Sequence, residues 1–124
     1  MQYDIMQVED NSEIRRYTEK NAKRENLTYF GVSSLHALEN ALTESSAKIY
    51  IVDGRFPIDE EGQVILNAPQ AIISIRKNYS DAKIILYSGE KDGDLIAQKN
   101  LVEFMDKGDY APHELILKIK EKIN

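Results

Sequence analysis

Cysteine is missing altogether from the 124 residues. That excludes a disulfide scaffold, a thiolate zinc site and a cysteine nucleophile. Long apolar runs are missing too, and the opening MQYDIMQVED lacks the basic, apolar, small-residue pattern of a signal peptide. The expectation is a cytoplasmic protein without a membrane span. Basic charge is in short supply, with 16 Lys and Arg against 21 Asp and Glu and a net charge of −5. Neutralising nucleic-acid phosphates needs a basic face, so direct DNA binding is not expected. No repeat, low-complexity segment or linker interrupts the chain. Residues 1–124 are read as one domain with no output domain, long enough to bury a core unaided. Hydrophobic residues at 42% and charged residues at 30% are an ordinary globular balance.

Short apolar runs alternate with longer helix-like stretches. The runs Ile5–Val8, Leu27–Phe30, Ile49–Val52, Ile84–Tyr87 and Val102–Met105 predict strands. They show little polar alternation, as strands covered on both faces do. Gln7 is the exception and needs a partner. Asn11 or Ser12 can cap a first helix through Ile14 and Tyr17, and Ser33 or Ser34 a second with Leu35, Leu38 and Leu42 on one face. Ala68, Ile72, Ile75 and Tyr79 stripe a third, with Pro69 in its first turn. A short fourth lies around Asp94–Lys99, and a fifth begins near Pro112 and presents Leu115, Ile116, Ile119 and Ile123. Each stripe is read as core packing. Five βα units predict an α/β protein with a doubly wound, five-stranded parallel sheet and five helices. Ligands of such sheets bind beyond the carboxyl ends of the strands.

At those ends stand Glu9 and Asp10, then Asp53 followed by Gly54, Arg55, Phe56 and Pro57, then Ser88 and Gly89, then Lys107. Carboxylates gathered at one point repel unless a cation compensates. Mg²⁺ takes one or two carboxylates and completes its shell with water and phosphate. A lysine and a hydroxyl beside it would cradle a phosphoryl group. The residues therefore suggest Mg²⁺-dependent phosphoryl chemistry with a carboxylate nucleophile.

Glu9-Asp10, Asp53 through Pro57, Ser88-Gly89 and Lys107, in this order at successive strand ends, resemble the response-regulator receiver family over essentially the whole chain. The resemblance implies a flavodoxin-like receiver fold in two-component or phosphorelay signalling. Asp53 would take a phosphoryl group from a sensor histidine kinase or a histidine phosphotransfer protein. Glu9, Asp10, Asp53 and the Arg55 backbone carbonyl would hold Mg²⁺. Lys107 would pair with Asp53 and then with the phosphoryl oxygens. Ser88 would donate to the phosphate and move inward, and Phe104 would turn inward with it. The surface of the fourth helix, fifth strand and fifth helix would then meet a downstream effector, and a phosphorylation-dependent dimer is within the family's repertoire. Such a domain is a signalling switch that catalyses only its own phosphorylation and dephosphorylation. In that family the residues two after the aspartate and two after the hydroxyl flank the path of water to phosphorus. Here they are Arg55 and Glu90, opposite charges that could pair across the opening.

Three departures stand out. Gly108 replaces the proline that usually follows the lysine, so a trans bond is expected, since a cis bond before a non-proline residue costs about 2.5–4 kcal/mol. The acidic stretch between Pro57 and Pro69 is longer than usual and suggests a small hairpin or lid. The fourth helix looks trimmed. The alternative readings are a non-phosphorylated pseudo-receiver and a Mg²⁺-dependent aspartyl phosphohydrolase. The hydrolase would want a carboxylate where Arg55 stands. A flavin or nucleotide binder is disfavoured by the acidic EDNSEIRR after the first strand. His36 and His113 are read as surface residues.

Overall fold

The structure, a computed structural model, describes residues 1–123. The elements run β1 (Gln2–Val8), α1 (Ser12–Arg24), β2 (Tyr29–Val32), α2 (Leu35–Glu44), β3 (Ser46–Val52), β4 (Arg55–Phe56), β5 (Ile65–Leu66), α3 (Ala68–Asn78), β6 (Lys83–Ser88), α4 (Gly93–Lys99), β7 (Glu103–Asp106) and α5 (Pro112–Ile123). A five-stranded sheet in the order β2-β1-β3-β6-β7 is parallel throughout. This is the doubly wound, flavodoxin-like architecture, with its switch point between β1 and β3.

Alternate strand residues feed two cores. Met6, Val8, Tyr50, Val52, Ile84 and Leu86 pack with Leu38 and Leu42 of α2 and Ala71, Ile72 and Ile75 of α3. Ile5, Ile49, Ile51, Ile85, Tyr87 and Met105 pack with Ala22 of α1 and Leu115, Ile116 and Ile119 of α5. Asn11 caps α1, accepting from the amides of Glu13 at 3.0 Å and Ile14 at 3.2 Å. Ser34 caps α2 through the Ala37 amide. Tyr17 departs from its expected place and is 47% exposed. The buried residues of α1 are Thr18 and Ala22, four apart on the sheet-facing side.

The second strand starts two residues later than the apolar run predicts. Asn26 adopts a left-handed φ of 61°. The amides of Asn26 and Leu27 then return to the carbonyls of Lys23 and Ala22, a Schellman ending. Leu27 is thereby spent on closing α1. The same motif ends α4, where the amides of Leu101 and Val102 bond to Gln98 and Ala97. There the left-handed position holds Leu101, at φ 56°. A Leu in that conformation is strained, since its Cβ crowds the backbone.

The stretch after Pro57 does form a hairpin, with Arg55 opposite Leu66 and Phe56 opposite Ile65. Its chain also serves α2. The carbonyls of Pro57 and Ile58 accept from the amides of Leu35 and His36 at 3.0 and 2.8 Å, satisfying donors that a helix start leaves free.

Candidate functional site

Hydrogen bonds continue beyond the strands and fix the acids in space. The Glu9 amide donates to Val32 and the Asp53 amide to Val8. Carboxylate oxygens of Glu9, Asp10 and Asp53 consequently lie within 4.8 Å of one another. Lys107, carried past the end of β7, hydrogen-bonds through its backbone to the Ser88 carbonyl at 3.1 Å. Its ammonium lies 3.1 Å from Asp53 Oδ1 and 2.7 Å from Glu9 Oε1. One lysine thus bridges two of the three carboxylates. Asp53 is 8% exposed and Glu9 1% exposed, whereas Asp10 is half-buried.

The electrostatics are unbalanced. Burial, followed by the neighbouring Asp53 charge, pushes the Glu9 pKa up to about 8, with Lys107 pulling the other way. For Lys107, burial lowers the pKa, but Asp53 and Glu9 outweigh it and the net direction is upward. Once Glu9 is ionised, one ammonium faces three carboxylates and negative charge is left unmet, on oxygen donors alone. That donor set fits a hard divalent cation such as Mg²⁺.

The third wall is set by Gly54. Its amide donates to Asp53 Oδ1 at 2.7 Å. A Cβ there would stand 2.7 Å from Ser88 Oγ and 3.0 Å from Glu90 Cγ. Glycine at this position leaves room for the Ser88 and Glu90 side chains to pack against the backbone beside Asp53. Ser88 is fully buried, and its hydroxyl oxygen accepts from the Glu90 amide at 3.0 Å. Outside it, Arg55 Nε and Glu90 Oε1 form an ion pair of 2.8 Å across the two loops. Arg55 is otherwise the first residue of β4, with its side chain turned out.

Phe104 lies away from the acids, on the α4 side of β7. Its ring rests on Gly93, where a Cβ would fall 2.5 Å from Cε1 and 2.8 Å from Cζ. No peptide bond among the described residues is cis, so the Lys107–Gly108 bond is trans as expected. His36 and His113 are exposed. Among the described residues no helix is long and apolar enough to cross a membrane.

Several contributors were not legible in the sequence. Asn67, 3% exposed, donates from Nδ2 to the Phe56 carbonyl at 2.7 Å and from its amide to Gly54, tying the hairpin to the site. Its place directly before the α3 stripe marks a helix start, the one signal that pointed to it. Arg15 donates to the Glu9 carbonyl. The roles of Gly54 and Gly93 depend on contacts that spacing does not encode.

No sequence-family model and no curated protein matches this chain. Solved structures do. A CheY-like response regulator receiver domain protein from Methanospirillum hungatei JF-1 superposes with a TM-score of 0.79 at 16% identity, over 99% of this chain and 94% of the other. The signal receiver domain of an HD domain-containing protein from Pseudomonas fluorescens Pf-5 gives 0.77 at 16% identity, over 99% and 95%. The BeF3-activated DrrB receiver domain gives 0.76 at 13% identity, over 99% and 98%. The chain has the fold of the response-regulator receiver domains.

Proposed function

We propose that this protein is a phosphoacceptor receiver of two-component or phosphorelay signalling, with Asp53 as the acceptor. The observation that carries the reading is Lys107, whose ammonium joins Asp53 to Glu9 beside Asp10 at the carboxyl ends of the strands. An Asp53 oxygen attacks the phosphorus of a phosphohistidine, forming the acyl-phosphate bond as the P–N bond to the imidazole breaks. Lys107 follows the charge from the carboxylate to the phosphoryl oxygens. The Ser88 hydroxyl, whose oxygen already accepts from the Glu90 amide, has its proton free to donate to the phosphoryl group. Glu9, Asp10, Asp53 and the Arg55 carbonyl would hold Mg²⁺, which neutralises charge on the transferring group.

The switch follows from what that contact moves. Drawing Ser88 inward pulls the segment from Gly89 to Gly93, on which Phe104 rests. The face of α4, β7 and α5 is the surface offered to an effector. The donor is a sensor histidine kinase or a histidine phosphotransfer protein, and a net charge of −5 speaks for a protein rather than DNA as the target. The working compartment is the cytoplasm, and residues 1–124 act as one receiver unit.

Intact mass after incubation with Mg²⁺ and a small acyl-phosphate donor tests the reading. Wild type should gain one phosphoryl group, and Asp53→Asn none. An Asp53→Asn protein modified at the wild-type rate would remove Asp53 from its role. A wild type that stays unmodified would leave a constitutive interaction domain.

A further inference from the structure

Gln7 is a polar residue within an apolar strand and is only 1% exposed. Its side-chain oxygen accepts a hydrogen bond from the Tyr29 hydroxyl, but its amide nitrogen has no partner. A buried donor left unpaired costs about 1–3 kcal/mol, and native interiors rarely carry one without a use. The surroundings are built to admit this amide. Gln7 stands opposite Gly31 in the pairing of β1 with β2. A Cβ at Gly31 would lie 2.6 Å from the Tyr29 hydroxyl oxygen and 2.9 Å from the ring. A glycine inside a strand weakens it and marks a close approach. Here the approach is that of the phenol, which crosses Gly31 to reach Gln7.

Among the described residues, the other buried side-chain polar atom without a hydrogen bond is Glu9 Oε1, whose one close partner is the Lys107 ammonium, an ion-pair contact at 2.7 Å. Glu9 follows Gln7 by two positions, on the same face of the chain. One atom is a donor and the other an acceptor. The Glu9 carboxylate is held by the Lys107 ammonium, 2.7 Å from Oε1, and by the Asn11 amide at 3.3 Å on Oε2, so Oε1 is the oxygen left open when Lys107 turns away. The Tyr29 hydroxyl donates to Gln7, and Gln7 precedes Glu9 by two residues, so the phenol, the amide and the carboxylate follow one another along one face of the chain.

We propose that Gln7 is a positioning residue for Glu9, with its free N–H, oriented by the Tyr29 hydroxyl, serving as the donor that steadies the Glu9 carboxylate when Lys107 turns to a phosphoryl group. The inference rests on the phosphoacceptor reading, which gives Lys107 somewhere else to go and Glu9 a cation to face. Partners that orient a ligating carboxylate from behind contribute measurably to metal affinity. An apolar residue at position 7 would satisfy the core equally well and leave the carboxylate unsupported.

The test pairs Mg²⁺ titration, followed by amide NMR shifts, with melting of the metal-free protein. It uses wild type, Gln7→Met, Tyr29→Phe and Gly31→Ala. Methionine keeps the volume and removes the amide. Gln7→Met should bind Mg²⁺ about fivefold more weakly and melt no lower than wild type without metal. Tyr29→Phe and Gly31→Ala, which free the amide from its phenol, should each weaken binding by less. The Gln7 side-chain amide resonances of wild type should shift as Mg²⁺ is added. Gln7→Met with wild-type Mg²⁺ affinity, whatever its melting point, overturns the proposal. A wild type that binds no Mg²⁺ overturns the phosphoacceptor reading and this inference with it.

Discussion

On one side of Asp53, β1 and β3 run seven residues each, and α1 runs thirteen residues behind a side-chain cap. On the other side, β7 has four residues and α4 has seven, with no side-chain cap at its start. Leu95 and Leu101 of that region are 51% and 83% exposed. The far end of α4 is nonetheless tied down, because the Arg76 guanidinium donates to the carbonyls of Asn100 and Leu101 at 2.6 and 2.7 Å. Glu9, Asp10 and Asp53 thus stand at the ends of the longer strands, whereas Ser88 leads into, and Phe104 lies within, the short α4–β7 region, where local opening is easiest. A phosphoryl group bound between the two halves would move the second and leave the first in place.

The largest effect expected on the fixed half is a proton linkage. Glu9 has a folded-state pKa of about 8 against an ordinary 4.5, raised by burial and then by Asp53. The folded protein therefore holds a proton that the unfolded chain releases. Its contribution is complete below about pH 4.5 and is lost as pH rises through about 8. In the absence of metal, stability should fall across that window by up to about 1.4 kcal/mol per pH unit. Cation binding needs the carboxylate ionised, so Mg²⁺ affinity should climb over the same window, by up to about tenfold per unit. Glu9→Gln should flatten both curves, as read by melting and by Mg²⁺ titration. A wild-type Mg²⁺ affinity independent of pH between 6 and 8 would count against an acid as buried as this one.

On the movable half, Gly93→Ala probes the seat of the ring. A methyl group there and the Phe104 ring cannot share the space, so the ring must leave or α4 must shift. We expect a loss of about 1–3 kcal/mol in denaturant unfolding, nearly abolished when Phe104 is also alanine. Equal losses in both backgrounds would show that the ring is not what Gly93 accommodates.

The smallest effect concerns the pair that spans the two halves. Arg55 and Glu90 are 49% and 32% exposed at the side chain, and such pairs contribute about 0–1 kcal/mol. The effect expected of them is kinetic, since the 2.8 Å contact lies across the loops flanking Asp53. Arg55→Ala and Glu90→Ala should each speed loss of phosphate, with little further gain in the double variant, and salt should shorten the wild-type lifetime most. Unchanged dephosphorylation in both single variants would reduce the pair to surface decoration.

How much of this was legible in the chain divides along the same line. Strand runs, helix stripes and the acids at strand ends are local patterns, and the doubly wound parallel sheet and the meeting of Glu9, Asp10, Asp53, Ser88 and Lys107 at one end of it were read from them. Boundaries set by backbone geometry were less visible. Leu27 reads as strand until Asn26 turns left-handed and claims it for the end of α1. Tyr17 reads as core until Thr18 and Ala22 set the buried face. Hidden altogether were contacts between residues distant in sequence, such as Gly93 beneath Phe104 and Gly31 beneath the Tyr29 hydroxyl. Each requires the register of neighbouring elements before the absence of a side chain acquires a meaning. The alternation of Gln7 with its apolar neighbours was plain, but its partner Tyr29 was not.

Addition of beryllofluoride, a mimic of the phosphoryl group, to the Mg²⁺-loaded protein while every backbone amide is followed by NMR tests the account most directly. Shifts should run from Ser88 through Leu95 and Phe104 toward Tyr110, leave the far ends of β1 and α1 unmoved, and vanish in Asp53→Asn. Shifts confined to the residues touching the mimic, or unchanged by Asp53→Asn, would contradict it.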